Sequence, residues 1–467
     1  MSRLLWHARS MKRRLMTELE RWSRSRRRKP LVLRGARQVG KSWLIRTFGA
    51  ERFGAVVELN FERDPHLARC FAGNEPKAIV RRIENATGKL LRPDGTNLLM
   101  LDEVQAAPEL LGKLRWFGEE LPSLPVIATG SLLDFALAEP RFSMPVGRIS
   151  FLHLEPMGFT EFLEAVGEPL LASRLREVDL ERAPSDFAGP AHDTLMARFR
   201  DYLLVGGMPA AVEAWVRERS FSAVAEVQRD LLATLRDDFA KYADRVHHRR
   251  LQAVFAAVPH QLGQRFSWAR VDRAERSQAL GRALELLCLA RVAHRVRASP
   301  GLRPPLEAGA SDRHFKMLFC DVGLANAALG VRLSELESTT LLAHAGGVAE
   351  QVVGQLLRLN AAPNELPAAF FWKREERGSE AEVDYLVADG SRLVPIEVKA
   401  GSTGTLKSLH ALMAARRWKT AVRFNDAPPL VSEVEAHAVG AGPARYRLLS
   451  LPLYLVEALP RLLAGLR

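Results

Sequence analysis

Cysteine is scarce in this sequence of 467 residues, which contains only Cys70, Cys288 and Cys320. They lie far apart and form no C-x-x-C pair, so neither a disulfide framework nor a cysteine-based zinc site is predicted. Long apolar runs are also absent. None approaches the length of about 18 residues that a transmembrane helix needs, and no export-signal pattern opens the chain. We therefore expect a cytoplasmic protein that has no contact with membranes.

Acidic residues are nearly missing from the first fifty positions. Residues 1–50 contain 15 Lys or Arg and 2 Asp or Glu, whereas the remaining residues carry equal numbers of each sign, so the net charge of +13 is local. With 47% apolar and 26% charged residues, the composition is otherwise typical of globular proteins. The length suits about three domains that each bury a core.

Residues 1–30 are predicted to form a basic amphipathic helix. Its apolar residues recur at helical spacing, at Leu4, Leu5, Ala8, Met11, Leu15, Leu19 and Trp22. Two interpretations of its arginines stay open. They form a patch that binds the phosphates of DNA, or they are only the solvated face of the helix.

A phosphate-binding pattern, G-x-x-x-x-G-K-[ST], follows this helix. Its residues are Gly35, Ala36, Arg37, Gln38, Val39, Gly40, Lys41 and Ser42. The glycines allow the tight turn that points backbone N–H groups at a phosphate, Lys41 meets the β- and γ-phosphates, and the Ser42 hydroxyl ligates Mg²⁺. An apolar strand at 31–33 precedes the loop and a helix start follows it, as phosphate binding requires. The pattern predicts binding of a nucleoside triphosphate with Mg²⁺.

An apolar run that ends in two carboxylates supports this prediction. Residues 98–101 are predicted to be a buried parallel strand, with Asp102 and Glu103 at the carboxyl end, where α/β sheets bind ligands. Asp102 would hold Mg²⁺ through water, and Glu103 would orient and polarise the attacking water. A further strand at 56–61 lies between the two motifs, which is typical of additional-strand P-loop ATPases. Together the motifs predict a hydrolase.

Two further segments supply candidates for contact with the γ-phosphate. A predicted strand at 125–128 leads to Thr129 and Ser131, either of which could sense this phosphate, although an ordinary turn is the alternative. Arg148 precedes another predicted strand and could act as an arginine finger on its own nucleotide or on that of a neighbouring subunit. A surface ion pair is the alternative for Arg148, and Arg141 is the second candidate for the finger.

Near the C-terminus, two strand-like segments at 382–387 and 392–399 are joined by a predicted hairpin turn. We centre the turn on residues 389–390, which pairs Val387 with Arg392. Strand alternation then places three charged residues of this hairpin on one face.

These three residues are Asp384, Glu397 and Lys399. Two acids and a lysine so arranged could hold Mg²⁺, activate water and stabilise a pentacovalent phosphate. A slip of one residue in the register would destroy the grouping, and a solvated, charged hairpin face is the alternative.

The motifs in this order resemble those of the AAA-type P-loop ATPases of bacteria and archaea that carry a downstream domain of unknown function. The resemblance covers nearly the whole chain. Beyond the motifs above, it includes residues 154–162, Gly206-Gly207-Met208-Pro209, Lys316, Asp321-Val322-Gly323-Leu324, Glu350 and Trp372.

The resemblance implies three α/β or helical units after the N-terminal helix of residues 1–30. They are a P-loop (AAA/ASCE-type) parallel-sheet domain at 31–160, a mainly helical lid and winged-helix-like domain at 161–335, and a restriction-endonuclease-like α/β domain at 336–467. In the last domain, Asp384, Glu397 and Lys399 would be the metal and catalytic set, which could bind a second Mg²⁺. Glu350 would be the matching acid on a helix.

Three functions therefore stay open. The first is a Mg²⁺-dependent ATPase whose nucleotide state controls the C-terminal modules. The second is a metal-dependent DNA nuclease gated by ATP, and the third is a non-enzymatic regulator that binds DNA through its basic helix and middle domain. A homo-oligomer is compatible with each of them.

Overall fold

The computed structural model shows two β-sheets with helices around them. It describes residues 11–131, 133–138, 147–238, 245–331, 342–374, 381–401, 405–438 and 442–466. Leu4, Leu5, Ala8 and Arg141 lie outside these ranges. Among the helices within them, none combines the length and the hydropathy that crossing a bilayer requires.

The first sheet has five parallel strands in the spatial order β2-β3-β4-β1-β5. The strands are β1 Leu31–Arg34, β2 Ala55–Asn60, β3 Asn97–Asp102, β4 Val126–Thr129 and β5 Ser150–His153. β3 is buried along its whole length, as expected for a parallel strand with both faces covered. The predicted parallel α/β sheet is confirmed, and each strand lies within a residue or two of its predicted place.

Five helices belong to this part of the chain. They are α1 Leu15–Arg24, α2 Lys41–Arg52, α3 Pro76–Thr87, α4 Leu110–Glu120 and α5 Leu133–Ala138, with 3₁₀ segments at Pro65–Phe71 and Val104–Ala106. Because all five strands run in one direction, the residues that follow β1, β3 and β4 meet at one edge of the sheet.

The apolar face of α1 belongs to the protein core. Leu19 is fully buried, and the ring of Trp22 lies against Phe48 of α2, with the ring centroids 6.5 Å apart. The indole N–H of Trp22 donates a hydrogen bond of 2.8 Å to the carbonyl of Lys29, at the approach to β1. The helix is therefore amphipathic, as predicted, but it is shorter than predicted: among the described residues of the segment 1–30, only Leu15–Arg24 are helical, and residues 11–14 and 25–30 are not.

The middle of the chain is mainly helical in its described parts, as the sequence predicts. Its helices are α6 Phe159–Ala165, α7 Pro169–Glu177, α8 Ala183–Asp186, α9 Pro190–Val205, α10 Pro209–Glu218, α11 Phe221–Asp237, α12 Arg245–Ala257, α13 Ser277–Leu289 and α14 Val322–Leu329. Short 3₁₀ segments occur at Pro259–Gln261 and Trp268–Arg270. Several of these helices begin with proline, which lacks an N–H group that the first helical turn does not need.

The second sheet has eight strands in the order β12-β13-β11-β10-β9-β8-β6-β7. These are β6 Ala293–Ser299, β7 Ser311–Phe319, β8 Ala369–Lys373, β9 Glu382–Asp389, β10 Arg392–Val398, β11 Thr420–Asn425, β12 Leu430–Ala438 and β13 Gly442–Pro452. The accompanying helices are α15 Leu342–Arg358, α16 Lys407–Arg416 and α17 Leu459–Ala464, with a 3₁₀ segment at Leu453–Ala458.

This sheet crosses the boundary that the sequence predicts between residues 335 and 336. β6 and β7 form an antiparallel hairpin within the middle segment, and β6 also pairs in parallel with β8 of the C-terminal segment. Sequence periodicity indicates where a strand lies but not which strand it pairs with. The middle and C-terminal segments therefore share one sheet.

The register of the β9–β10 hairpin differs from the predicted one. Val387 pairs with Val394, not with Arg392, and Arg392 closes the turn opposite Asp389. The reason is that the turn is centred one residue later than predicted, with Gly390 at φ 62° as its first central residue. The pairing is shifted by two residues, so every side chain keeps its predicted face.

Three distant segments of the chain meet at Gly207, between α9 and α10. Its N–H donates a hydrogen bond of 2.6 Å to the Asp321 carboxylate, and its carbonyl accepts one of 2.8 Å from the N–H of Met157. Gln355 of α15 also donates to Asp321, over 3.2 Å. A Cβ atom at position 207 would collide with the backbone of Met157, so only glycine fits this contact.

Candidate functional site

The loop between β1 and α2 has the backbone geometry of a phosphate cradle. Gly40 precedes α2 with φ 91°, in the left-handed region, and Gln38 adopts φ 63° although it is not glycine. At Gly35 a side chain would collide with the carbonyl of Leu154, which follows β5. The loop is therefore tightly turned and ends at a helix N-terminus, the arrangement that presents N–H groups to an anion.

Lys41, the first residue of α2, is buried and points back at its own loop. Its Nζ donates hydrogen bonds of 2.9 Å to the carbonyl of Gly35 and 2.7 Å to that of Ala36. Burial lowers the pKa of Lys41 to about 8, although the Glu103 carboxylate opposes this shift. A phosphate at the loop would supply the anionic partner that favours the charged form of this lysine.

Ser42 and Asp102 meet at the mouth of the loop. The Ser42 hydroxyl donates a hydrogen bond of 2.9 Å to Oδ1 of Asp102, and Asn60 donates one of 3.1 Å to Oδ2. Burial raises the pKa of Asp102, and the bond from Ser42 opposes that effect. A hydroxyl and a carboxylate side by side are hard oxygen ligands, so this donor set fits Mg²⁺.

Glu103 lies next to this pair, just beyond the end of β3. Its backbone adopts φ 54°, a left-handed conformation that is unusual for glutamate. Oε2 accepts hydrogen bonds of 2.6 Å from the side-chain amide of Gln105 and 3.3 Å from the Ser131 hydroxyl. The carboxylate is thus held in place from two sides.

Thr129 and Ser131 differ in what they contact. The Thr129 side chain is fully buried, and its hydroxyl donates a hydrogen bond of 3.1 Å to the carbonyl of Leu33 in β1. Ser131 contacts Glu103 through both its hydroxyl and its N–H group. Of the two sensor candidates, Ser131 is the one that joins the carboxylate site.

Arg148 cannot reach the phosphate loop of its own chain. It lies two residues before β5, whose first residue, Ser150, pairs with Leu31 at the start of β1. In a parallel sheet this is the amino edge, whereas the loop follows the carboxyl end of β1. The side chain of Arg148 is 58% exposed, and its Nη1 atom lies 3.2 Å from Oε1 of Glu119. An action of Arg148 on its own nucleotide is therefore excluded by the strand direction.

An arginine that the sequence analysis missed lies close to the loop instead. Arg291, between α13 and β6, is buried, has φ 59°, and lowers the pKa of Lys41 by its charge. Its Nε donates a hydrogen bond of 2.7 Å to Asp134, while Nη1 lies 3.8 Å from Glu155. Within the described residues, Nη1 is buried without a hydrogen-bond partner. Only folding brings it to the loop, so no local pattern marks it.

Two further arginines connect the loop to other parts of the chain. Arg13, which precedes α1 and is buried, donates hydrogen bonds of 2.8 Å to the carbonyl of Val39 and 3.1 Å to the Glu161 carboxylate. Arg37, within the loop, pairs with Asp238 at the end of α11 over 2.5 Å. The basic N-terminal segment and the helical middle of the chain are therefore both tied to the phosphate loop.

The C-terminal candidates converge on a lysine from β7. Nζ of Lys316 lies 2.7 Å from Glu382, 2.9 Å from Glu350 and 3.3 Å from Asp384. The side chain is 3% exposed, and the three carboxylates raise its pKa well above the usual value although burial alone would lower it. The structure thus brings Glu350 and Asp384 together as predicted, around a cation that the site prediction did not include.

Glu397 and Lys399 form a neighbouring pair in which Nζ lies 2.6 Å from Oε1. Burial and the charge of Asp384 raise the pKa of Glu397 to about 7, and burial raises that of Glu350 to about 8. Among the residues that the structure describes, no group of three or more His, Cys, Asp or Glu is arranged to hold a metal ion. As placed, these residues do not fit a second Mg²⁺, because an ammonium group occupies the centre of the cluster.

Comparison with protein families separates the chain into three matched segments. Residues 27–163 match the family described as AAA domain, and this range includes the loop at 35–42 as well as Asp102 and Glu103. Residues 196–335 match a domain of unknown function (DUF8612), and residues 345–435 match another (DUF4143). No curated protein matches the chain.

Several solved structures are similar to parts of the chain. The Walker-type ATPase PABY2304 of Pyrococcus abyssi is 16% identical with a TM-score of 0.43, over 68% of this chain and 96% of that one. Orc1 of Aeropyrum pernix in complex with DNA is 16% identical with a TM-score of 0.27, over 71% and 93%. The RuvB Holliday junction branch migration motor of Thermotoga maritima is 17% identical with a TM-score of 0.26, over 61% and 90%. These likenesses are too distant to bear on function.

Proposed function

We propose that this protein is a Mg²⁺-dependent ATPase that binds ATP at the loop of residues 35–42. The hydrogen bond between Ser42 and Asp102 supports this most directly, since it joins two oxygen ligands suited to Mg²⁺ at the mouth of a phosphate cradle. Mg²⁺, when bound, supplies charge neutralisation for the phosphate oxygens.

The remaining steps are assigned to residues of this chain. The loop N–H groups and Lys41 bind the phosphates, and Lys41 exchanges its bonds with the loop carbonyls for bonds with phosphate oxygens. Glu103, held by Gln105 and Ser131, orients the attacking water and accepts its proton. As the water oxygen bonds to the γ-phosphorus, the bond from this phosphorus to the β–γ bridging oxygen breaks, so that ADP and inorganic phosphate are the products.

We assign Arg291 as the cation that acts on the phosphates from within the same chain. It is buried, its charge reaches Lys41, and one of its nitrogen atoms has no hydrogen-bond partner among the described residues. Its left-handed backbone costs about 1 kcal/mol or more, a strain that is often found at functional sites. Arg291 belongs to the middle segment, so it would also report nucleotide occupancy to that segment.

The test is Glu103→Gln, with Glu120→Gln at an exposed position of α4 as the matched control. Glu103→Gln should leave ATP affinity within about threefold and lower kcat by at least about 10²-fold, since the amide cannot accept the proton. The control should keep wild-type turnover. Unchanged turnover in Glu103→Gln would refute the assignment of Glu103.

The contacts of the loop also support control of the C-terminal segments by nucleotide. A Cβ atom added at Gly40 would lie in van der Waals contact with Pro209, at the start of α10. Two residues before Pro209, the N–H of Gly207 donates a hydrogen bond to Asp321. Asp321 follows β7, the edge strand of the second sheet. A displacement of the loop on ATP binding would therefore reach that sheet through a short chain of contacts.

DNA binding by the middle segment is the second candidate function. Helices α12 and α13 followed by the β6–β7 hairpin have the order of elements in a winged helix. Arg249 and Arg250 of α12 are partly neutralised by Glu275, at 3.6 and 3.0 Å, so the patch at 247–250 carries less free charge than its sequence indicates. If DNA binds here, its affinity should fall steeply between roughly 50 and 200 mM salt. The slope of that fall should increase with the number of phosphates that the protein contacts.

A further inference from the structure

Two arginines of α1 are neutralised within their own helix. Arg21 lies 2.6 Å from Glu18, and Arg24 lies 3.7 Å from Glu20. Both arginines are in the last turn of α1, where the helix dipole also favours a cation. Their charges are therefore explained by contacts inside the chain.

The residues that follow α1 form a tight turn that is fixed to the first sheet. The N–H of Arg28 donates a hydrogen bond of 3.2 Å to the carbonyl of Ser25, so Arg26 and Arg27 are the central residues of the turn. The guanidinium group of Arg28 donates a hydrogen bond of 2.6 Å to the carbonyl of Ser123, which precedes β4. The sheet therefore determines where the turn lies.

Four exposed cations lie on and beside this turn. We use the name amino-edge patch for Arg26, Arg27, Lys29 and Arg52. Arg52, the last residue of α2, reaches the end of α1 through a hydrogen bond of 3.4 Å from its Nε to the Ser23 hydroxyl. Within the part of the chain that the structure describes, none of the four forms an ion pair. Their charges are thus available to an external anion.

The patch lies at the edge of the first sheet that is opposite to the phosphate loop. Lys29 is two residues before β1, and Arg52 is three residues before β2. The amino ends of parallel strands meet at one edge, whereas the phosphate loop follows the carboxyl end of β1. A ligand at the amino-edge patch therefore does not occupy the ATP site.

The residue types in and around the turn suit phosphate groups better than a membrane or a protein. Guanidinium groups bind phosphate oxygens through pairs of hydrogen bonds. From Ser23 to Lys29, every residue is serine, arginine or lysine. This segment offers no apolar side chain that could enter a bilayer and no aromatic side chain that could anchor a protein interface. A fixed turn that presents cations alone matches the row of charges on a nucleic-acid backbone.

We propose that the amino-edge patch binds the phosphodiester backbone of a nucleic-acid duplex without reading its base sequence. Arg26 and Arg27 contact one phosphate each, and Lys29 and Arg52 add charge beside them. This inference goes beyond ATP hydrolysis and concerns a surface separate from the middle segment. It stands whether or not the phosphate loop binds ATP.

The test measures the affinity of the full-length protein, without nucleotide, for labelled DNA and RNA duplexes by fluorescence anisotropy over a series of salt concentrations. At about 100 mM salt, Arg26→Ala/Arg27→Ala should lower the affinity by about 30- to 100-fold. It should also reduce the slope of log affinity against log salt by about 1.8, because each lost phosphate contact removes about 0.9.

Arg21→Ala/Arg24→Ala is the matched control for this double variant. It removes the same charge from neighbouring positions that are already neutralised, so the affinity should stay within about threefold of wild type. Arg26→Lys/Arg27→Lys preserves the charge of the turn and should stay within about fivefold. Wild-type affinity for ATP and an unchanged melting temperature are expected in all three variants.

The duplex whose affinity depends more on Arg26 and Arg27 identifies DNA or RNA as the ligand. The proposal is overturned if the wild type binds neither duplex, or if folded Arg26→Ala/Arg27→Ala keeps the wild-type affinity and salt slope. It is also overturned if the two double-alanine variants lose affinity equally, because the effect is then one of net charge. Binding of anionic lipid vesicles that depends on the patch, without such binding of duplexes, would assign the patch to membranes instead.

Discussion

The Ser42 hydroxyl and the Asp102 carboxylate are joined by a hydrogen bond of 2.9 Å, across 60 positions of the chain. Ser42 is in the first turn of α2 and Asp102 is the last residue of β3, so the bond connects the phosphate loop to the carboxyl edge of the sheet. Asp102 is buried and also accepts a hydrogen bond from Asn60. The site is therefore preorganised around an oxygen pair that suits Mg²⁺.

Asp102→Asn should reduce the factor by which Mg²⁺ increases the affinity for ATP. We expect ATP affinity in Mg²⁺ to fall by at least about tenfold, while affinity in excess EDTA stays close to wild type, because only the metal ligand is lost. Titration calorimetry in both buffers makes the comparison. Asp94→Asn, at an exposed turn, is the control, and an Asp102→Asn protein with wild-type Mg²⁺ dependence would contradict the assignment.

Arg291→Ala should impair turnover more than binding. Loss of one cation at the phosphates is expected to lower kcat by about 10²–10³-fold and to change the Kd for ATP by less than about tenfold. Arg358→Ala is the control, since Arg358 also pairs with Glu155, at 3.0 Å. Both variants should lower the melting temperature. If turnover falls equally in both, Arg291 has only a structural role.

We expect Arg148 to act on the nucleotide of a neighbouring subunit in a homo-oligomer. Arg148→Ala should lower kcat by about 10³-fold, whereas Glu119→Ala, which removes only the ion pair, should not. Mixing Arg148→Ala with Lys41→Ala should restore turnover above that of either variant, because mixed oligomers contain interfaces with both intact residues. If the mixed oligomers recover no turnover, Arg148 does not act on the nucleotide of a neighbouring subunit.

His153→Leu should reduce the loss of unfolding free energy that the wild-type protein shows as the pH is lowered from 7 to 4.5. Burial and the charges of Arg291 and Arg34 lower the pKa of His153 to about 4, so the unfolded chain binds its proton more readily. The neutral His153 side chain therefore contributes to the unfolding free energy above about pH 6.5. This contribution, about 1–3 kcal/mol, is lost as the pH falls towards 4. Urea denaturation at pH 7 and pH 4.5 measures this loss.

His66→Leu, at an exposed position, serves as the comparison for His153→Leu. It should retain the wild-type fall in unfolding free energy between the two pH values. If the unfolding free energy falls by the same amount in the wild type and in His153→Leu, His153 does not contribute to the loss of stability at low pH. Loss of hydration in the folded state also lowers the pKa of His294 well below its usual value, so part of the fall in unfolding free energy should remain in the His153 variant.

The sequence predicts the first sheet well because its signals are local. Each strand is a short apolar run, and the glycines, Lys41 and Ser42 of the loop have tasks that depend on neighbouring residues only. The convergence of Ser42 with Asp102 also follows from the sequence, since parallel strands place their carboxyl ends at one edge. No knowledge of tertiary packing is needed for these predictions.

The remaining features depend on contacts between distant segments. Arg291 and Lys316 reach their sites through folding, and neither carries a local signature of its role. The β9–β10 register was predicted two residues away from the observed pairing, because the turn could be centred on either side of Gly390. The sequence around Arg148 does not indicate at which edge of the sheet this residue lies, and the pairing of β5 with β1 excludes contact with the nucleotide of its own chain.

Calorimetric titration of the full-length protein with Mg²⁺-ATP tests the central claim most directly, with Lys41→Ala as the comparison. Saturable binding of one ATP per chain, weakened at least about tenfold by Lys41→Ala, is the predicted result. If folded wild-type protein shows no heat of binding, and a fluorescent ATP analogue also fails to bind, the loop is not a nucleotide site and the account is wrong.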